Sequence, residues 1–353
     1  MDLLLPIIAA FVVAYILLDF LQPMAKRIGL VDEPDHRKHH EGTVPLIGGV
    51  AMLIGLMVGA CFIERLYTEW LGFLTGAMLL VVVGVLDDLY ELKTAYRFAI
   101  QIIAVLLVCL WDGVVIDNLG NLLGFGDITL GSLSIPFTIF AVVGVINAVN
   151  MSDGLDGLAG GFMLVVLIAI GVFDAIAGGS SVGLVSWLLA GVVVAFLRYN
   201  IPVTQLINKR VFMGDAGSMF LGFTVAWLLI RLSQVPDSLF DPVMALWLMA
   251  LPLMDTIAII IRRVNKGSSP FLPDREHFHH IILLAGYSVR QTVFMLLSLA
   301  IAMVAIGAIA WFLGVPEPLF FYAFLTLFAL YYWGISHSWK VMKAVRQIHN
   351  GPE

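Results

Sequence analysis

The chain has 353 residues, 61% of them hydrophobic and only 12% charged, with a formal net charge of -6. A soluble globule cannot cover that composition with a polar surface, so the chain is expected to be an integral membrane protein. The negative balance mainly reflects acidic outer loops and buried-site carboxylates and says nothing about nucleic acid, which is not among the expected partners.

Only a helix satisfies its own backbone groups in hydrocarbon, and a crossing takes roughly 20 apolar residues. Apolar segments lie near residues 3–22, 46–63, 71–86, 98–111, 136–149, 161–177, 182–197, 216–232, 243–261, 292–313 and 318–336. They predict an all-α polytopic fold of about eleven transmembrane helices. The first segment has no charged leader region and no small-residue cleavage site, so it reads as a retained helix.

All eight histidines, and every Lys and Arg except Arg65 and Arg231, fall in alternate gaps between these segments. Lys26, Arg27, Arg37 and Lys38 put the first gap inside. The N-terminus is then periplasmic, the C-terminus cytoplasmic, and the polar chemistry collects on the cytoplasmic face. One membrane domain, 1–336, is expected, followed by a basic cytoplasmic tail, 337–353.

In that first gap, Asp35 to Gly49 brings Arg37, Lys38, His39 and His40 to the membrane surface. They suit a lipid phosphate, with Lys38 a candidate ligand, and serve equally well as a positive-inside anchor. Asp87 and Asp88 follow at an inner helix end. Adjacent carboxylates there repel and resist desolvation unless a cation is near, so a divalent metal or cationic partner is implied; a solvated helix terminus is the plainer alternative.

The long outer loop 112–135 holds Val114 to Ile116 and Asp127 to Leu130 around a Gly/Asn-rich turn, which predicts a small hairpin. Cys61 and Cys109, near outer helix ends, read as small apolar fillers, although an oxidising compartment permits a disulfide.

The string NAVNMSDGLDGLAGG places Asn147, Asn150, Asp153 and Asp156 three positions apart, on adjoining faces if helical, with glycines that admit a ligand close to the backbone. Helix capping would use one of these, hardly all four. Next, FMGDAGS sets Asp215 between glycines at the head of an apolar segment, a position suited to Mg²⁺ bridging diphosphate oxygens; alone it could be an N-cap.

PDREHFHH brings Arg275, His277, His279 and His280 together. Zinc could use three imidazoles, but a single loop supplies them and no cysteine is near, so a loop for an anionic diphosphate or sugar is preferred. Trp339, Met342, Val345 and Ile348, spaced among Lys340, Lys343 and Arg346, suggest a final amphipathic helix on anionic lipid, foremost a topology anchor.

The order and spacing of DDLYEL (87–92), NAVNMSDGLDGL (147–158), FMGDAGS (212–218) and PDREHFHH (273–280) resemble the polyprenyl-phosphate N-acetylhexosamine-1-phosphate transferases. The resemblance runs over about residues 1–350, and HxHH is similar to the Gram-negative N-acetylglucosamine branch rather than the MurNAc-pentapeptide transferases. It implies transfer of GlcNAc-1-phosphate from UDP-GlcNAc to undecaprenyl phosphate with release of UMP, in the bacterial inner membrane, initiating O-antigen and enterobacterial common antigen synthesis. Another UDP-N-acetylhexosamine is the alternative donor.

The resemblance further implies Mg²⁺ or Mn²⁺ on Asp215 with Asn150, and Asp87 and Asp88 as the catalytic pair. It places Asn147, Asp153 and Asp156 near the nucleotide, Arg275, His277, His279 and His280 on the sugar nucleotide, and Arg97 near the phosphates. Asp88 is expected to orient or deprotonate the lipid phosphate and Asp87 to support the electrostatics. Dimeric relatives suggest a homodimer. A transporter is the rival class; Asp19, Asp174 and Asp255 are the acidic residues nearest the apolar segments, each toward an end, where a transporter would place them midway.

Overall fold

A computed structural model describes residues 4–33, 42–63, 70–201, 209–234, 238–267, 269 and 277–350, the last thirteen of these (338–350) by backbone only. The order is α1 (Leu4–Ile28), β1 (Val31–Asp32), β2 (Val44–Pro45), α2 (Gly48–Ala60), α3 (Leu71–Tyr90), α4 (Thr94–Trp111) and α5 (Ser134–Ser152). Then come α6 (Leu158–Ile176), α7 (Ser181–Asn200), α8 (Gly214–Ser233), α9 (Val243–Leu248), α10 (Ala250–Asn265), α11 (Phe278–Leu284), α12 (Val289–Phe312) and α13 (Glu317–Asn350). The two strands pair antiparallel, Val31 opposite Pro45.

Among the described residues nine helices are long and apolar enough to cross a membrane. The chain is therefore an all-α, multi-pass membrane protein. Two expected segments take other forms. Residues 46–63 give α2, whose 13 residues span about 20 Å, short of the roughly 30 Å hydrocarbon core. Residues 243–261 divide at Met249, because Pro252 has no N–H to give the Leu248 carbonyl; Met249 still bonds Ala245 O, and Leu253 bonds Met249 O, each at 3.1 Å.

The chain forms two compact units, Met1–Leu119 with Thr129–Pro242, and Gly120–Ile128 with Val243–Glu353. In the first, α8 is the central helix, buried from Ala216 to Ile230 and packed by α2, α3 and α5. Lipid gives no hydrophobic drive between helices, so contact depends on close backbone approach. Gly84 supplies it: a Cβ there would stand 2.2 Å from Ala216 Cα. At the other end Trp227 stacks on Phe73 at 4.3 Å and meets Trp70 at 5.1 Å.

That end is closed by polar caps. Asp112 accepts the Gly72 and Phe73 N–H groups, each at 2.7 Å. The loop 112–135 pairs as expected but in a shifted place, through an Asn118–Thr129 bridge and a Leu130 N–H donated to Asp117 O at 2.7 Å. Asp174 fixes a turn by accepting the Ser180 hydroxyl and N–H at 2.5 and 2.9 Å; at the opposite end, just before α8 begins, Lys209 pairs with Asp19 of α1 at 3.1 Å. Cys61 is exposed and Cys109 buried, both free thiols.

In the second unit α9 packs against α12 and α13, with Trp247 stacked on Phe320 at 4.8 Å. The backbone of α13 runs on to Asn350, so the tail segment is helical in continuity with the last apolar helix.

Candidate active site

Four helix ends meet in the first unit: the C-terminal ends of α3 and α5 and the N-terminal ends of α4 and α8. Adjacent residues on a helix diverge by about 100°, and Asp87 and Asp88 use that divergence. Buried Asp87 accepts the Leu92 N–H at 2.7 Å and Arg97 Nη1 at 3.0 Å. Asp88 faces α8, accepting the Asp215 N–H at 2.9 Å and the Ala216 N–H at 3.5 Å. It thus caps α8 from another helix and meets the positive end of its dipole. Gly214 makes room: its φ is +70°, and a Cβ would lie 2.4 Å from Asp88 Oδ2.

Asp215 is held from two sides. Asn150 Nδ2 donates to Oδ1 at 2.5 Å, and to Ser218 Oγ at 2.8 Å, while Arg97 Nη1 lies 3.3 Å from Oδ2. One guanidinium nitrogen therefore sits between Asp87 and Asp215. Asn147 is turned into the helix packing, donating to Gln101 Oε1 at 2.9 Å and to Val143 O at 2.8 Å.

The loop after α5 carries the other two carboxylates. Asp153 is half-buried; burial first, then the charges of Asp215, Asp156 and Asp88, hold its carboxyl well above the usual range. Asp156 is ion-paired with Arg210, whose guanidinium lies over the Phe212 ring at 4.8 Å. Buried Asn200 ties this loop to the next, accepting the Gly157 N–H at 2.7 Å and donating to Val211 O at 3.0 Å.

Arg210, Gln101 and Asn200 are absent from the sequence reading. Arg210 stands two residues before FMGDAGS, so a slightly wider motif would have included it. Gln101 lies inside an apolar helix and Asn200 at the last residue of another, and neither gives a periodic signal.

In the second unit, His277 and His279 are buried and their rings stack at 5.4 Å; His279 and His280 centroids are 4.2 Å apart. Burial, then the neighbouring imidazoles of His280 and His277, push His279 down to about 3, so it is neutral near pH 7. Lys38 and Arg275 lie outside the described residues. Among the described residues no three His, Cys, Asp or Glu side chains close into a metal cage.

The geometry is that of a multi-pass membrane protein with acidic and basic groups gathered at one end of its helices, and sequence comparison gives the class. Residues 70–233 match the family model for glycosyl transferase family 4. The chain is similar to undecaprenyl-phosphate alpha-N-acetylglucosaminyl 1-phosphate transferases. That of Escherichia coli K12 is 37% identical over 344 residues, 97% of this chain and 93% of the relative. That of Yersinia pestis is 38% identical over 328 residues, 92% and 89%; that of Haemophilus influenzae is 37% identical over 349, 98% and 97%.

The chain is thus a membrane-bound transferase. It belongs to the polyprenyl-phosphate N-acetylhexosamine-1-phosphate transferases, the family its four motifs resemble.

Proposed function

We propose that the chain transfers GlcNAc-1-phosphate from UDP-GlcNAc to undecaprenyl phosphate, releasing UMP, as the names of its relatives state for them. The observation that carries this reading is the arrangement of Asp87 and Asp215 about Arg97, with Asp215 held by Asn150. Phosphoryl transfer asks chiefly for positioning and charge neutralisation. Such an arrangement offers both at the membrane boundary, where a soluble nucleotide sugar can meet a lipid phosphate.

The donor set also fits Mg²⁺ or Mn²⁺. It is all oxygen, it is already compensated by a cation, and Mg²⁺ keeps several waters and needs only one or two carboxylates. Asp215 would hold the ion through its carboxylate, with the Asn150 amide oxygen as a second candidate donor, since the Asn150 nitrogen is bonded to Asp215 itself and to Ser218. When bound, the ion supplies charge neutralisation for diphosphate oxygens and the leaving nucleotide phosphate.

The remaining roles belong to the chain. Asp87 holds Arg97, which turns to the phosphates; Asp88 keeps Asp215 and the head of α8 in place. The lipid phosphate has a second pKa near 6 and is largely dianionic at neutral pH, so it needs little help from a base. Asp153 and Asp156 lie toward the nucleotide, with Asn147 ordering the α4 and α5 ends behind them. Arg275, His277, His279 and His280 receive the sugar nucleotide, and Lys38 the lipid phosphate.

On this reading the fold is one domain of about eleven crossings in the inner membrane, the short α2 and the divided α9–α10 segment adding two to the nine long helices among the described residues, N-terminus periplasmic, with O-antigen and enterobacterial common antigen synthesis downstream and a homodimer as the assembly. The test is UMP release and lipid-linked sugar formation by purified protein in detergent, with UDP-GlcNAc, undecaprenyl phosphate and Mg²⁺. Product that vanishes with EDTA and in Asp215→Ala supports the reading. Product only with another UDP-sugar replaces the donor, and none with any donor, from folded protein, overturns the chemistry.

A further inference from the structure

Asp255, on α10, has a side chain only 14% exposed and accepts three hydrogen bonds. Its Oδ1 takes the Phe278 N–H at 3.1 Å and the Tyr331 hydroxyl at 3.0 Å, which leaves Oδ2 to His277 Nδ1 at 2.9 Å. An ionised carboxylate only accepts, so the His277 contact puts a proton on Nδ1. The ring's orientation is then fixed at its edge by Asp255 and at its face by the His279 ring, stacked within 12° of parallel.

The three imidazoles differ in what they can do. His279 is 4% exposed, neutral, and its Nε2 is buried without a partner among the described residues, so it is a flat wall for its neighbour. His277 is aligned by a carboxylate, and with Nδ1 engaged its second nitrogen has no hydrogen-bond partner among the described residues. A carboxylate that merely capped α11 would need the Phe278 N–H alone. Asp255 instead commits one whole oxygen to an imidazole, the arrangement by which an outer carboxylate sets the tautomer and direction of a functional histidine.

We propose that Asp255, steadied by Tyr331, is a positioning residue that holds His277 as the Nδ1–H tautomer and so presents Nε2 as a hydrogen-bond acceptor to a hydroxyl or amide N–H of the donor sugar. This rests on reading residues 273–280 as the donor-binding loop. No bond is made or broken at His277. Its lone pair selects a donor that carries a polar hydrogen at that point.

Two measurements on the full chain in detergent test it. The ¹⁵N resonances of His277 are expected to show a protonated Nδ1 and an unprotonated Nε2 above the pH at which the ring is cationic; the reverse tautomer overturns the proposal without any substitution. Kinetically, Asp255→Asn should raise KM for UDP-GlcNAc about tenfold to a hundredfold, leave KM for the lipid phosphate unchanged, and add less than about twofold when His277→Ala is already present. An equal cost in both backgrounds would show that Asp255 supports the fold and not His277. Tyr331→Phe, which keeps the carboxylate, should show the same dependence on His277 at smaller size. Wild-type protein that did not turn over UDP-GlcNAc would defeat the functional reading instead, while the tautomer result would stand independently.

Discussion

Asn150 Nδ2 donates to Asp215 Oδ1 at 2.5 Å, joining the end of α5 to the first turn of α8 across 65 positions of sequence. Because the same nitrogen also reaches Ser218 Oγ at 2.8 Å, the amide is oriented and its oxygen is left over. Replacing Asn150 by Ala removes both the orienting bond and that oxygen. The Mg²⁺ concentration for half-maximal activity should rise about tenfold to a hundredfold, with little change in unfolding temperature. A titration that superimposes on wild type would remove Asn150 from the metal site.

Asp88 gives a second expectation, because both its oxygens meet backbone N–H groups at the head of α8. An asparagine there can accept at one atom but turns an NH₂ toward a donor at the other. Asp88→Asn should therefore displace Asp215 and lose more than about 100-fold in kcat, a loss of the size that an ångström of misplacement produces. The loss should be the same at pH 6.5 and pH 8.5. Recovery to within tenfold at the higher pH, where the lipid phosphate is fully ionised, would mean instead that Asp88 acts as a base.

Gly84 links packing to the site. An added Cβ would stand 2.2 Å from Ala216 Cα and 2.4 Å from Ala216 N, backbone atoms that cannot turn aside. Gly84→Ala must separate α3 from α8, at an overpacking cost of about 1–3 kcal/mol, and the separation falls one residue from Asp215 and about one turn from Asp87 and Asp88. Activity should drop by more than about tenfold in protein that still purifies as a folded species. Wild-type turnover in Gly84→Ala would show that the helices can part without disturbing the carboxylates.

Much of this was legible because charges in a membrane protein have few permitted places, so Asp87, Asp88, Asn150 and Asp215 announce themselves against long apolar runs. The break at Met249 was less so: Pro252 is visible, but whether a proline ends or bends an apolar segment depends on which carbonyl loses its partner. Arg210 was missed because its partner, Asp156, lies 54 residues away and nothing local marks the pair. Asp255 was read as an acid near a helix end. That His277 and Tyr331 converge on it from separate elements is a property of the folded chain, and no spacing in the sequence encodes it.

The last expectation concerns acid. A histidine in an unfolded chain takes its proton near 6.5, whereas burial and the two neighbouring imidazoles hold His279 down to about 3. Between those values the unfolded state binds more protons than the folded one, so the stability His279 allows at neutral pH is lost progressively as pH falls through that window. Asp153 has the opposite sign: its carboxyl is held well above 3.8, so it favours folding on the acid side and less as pH rises. Unfolding temperatures in detergent from pH 7.5 to pH 4 should therefore fall more steeply in wild type than in His279→Leu, which fills a similar space and cannot titrate. Equal slopes would mean that the ring reaches solvent, or accepts its proton, without unfolding, and would remove His279 as the neutral wall behind His277.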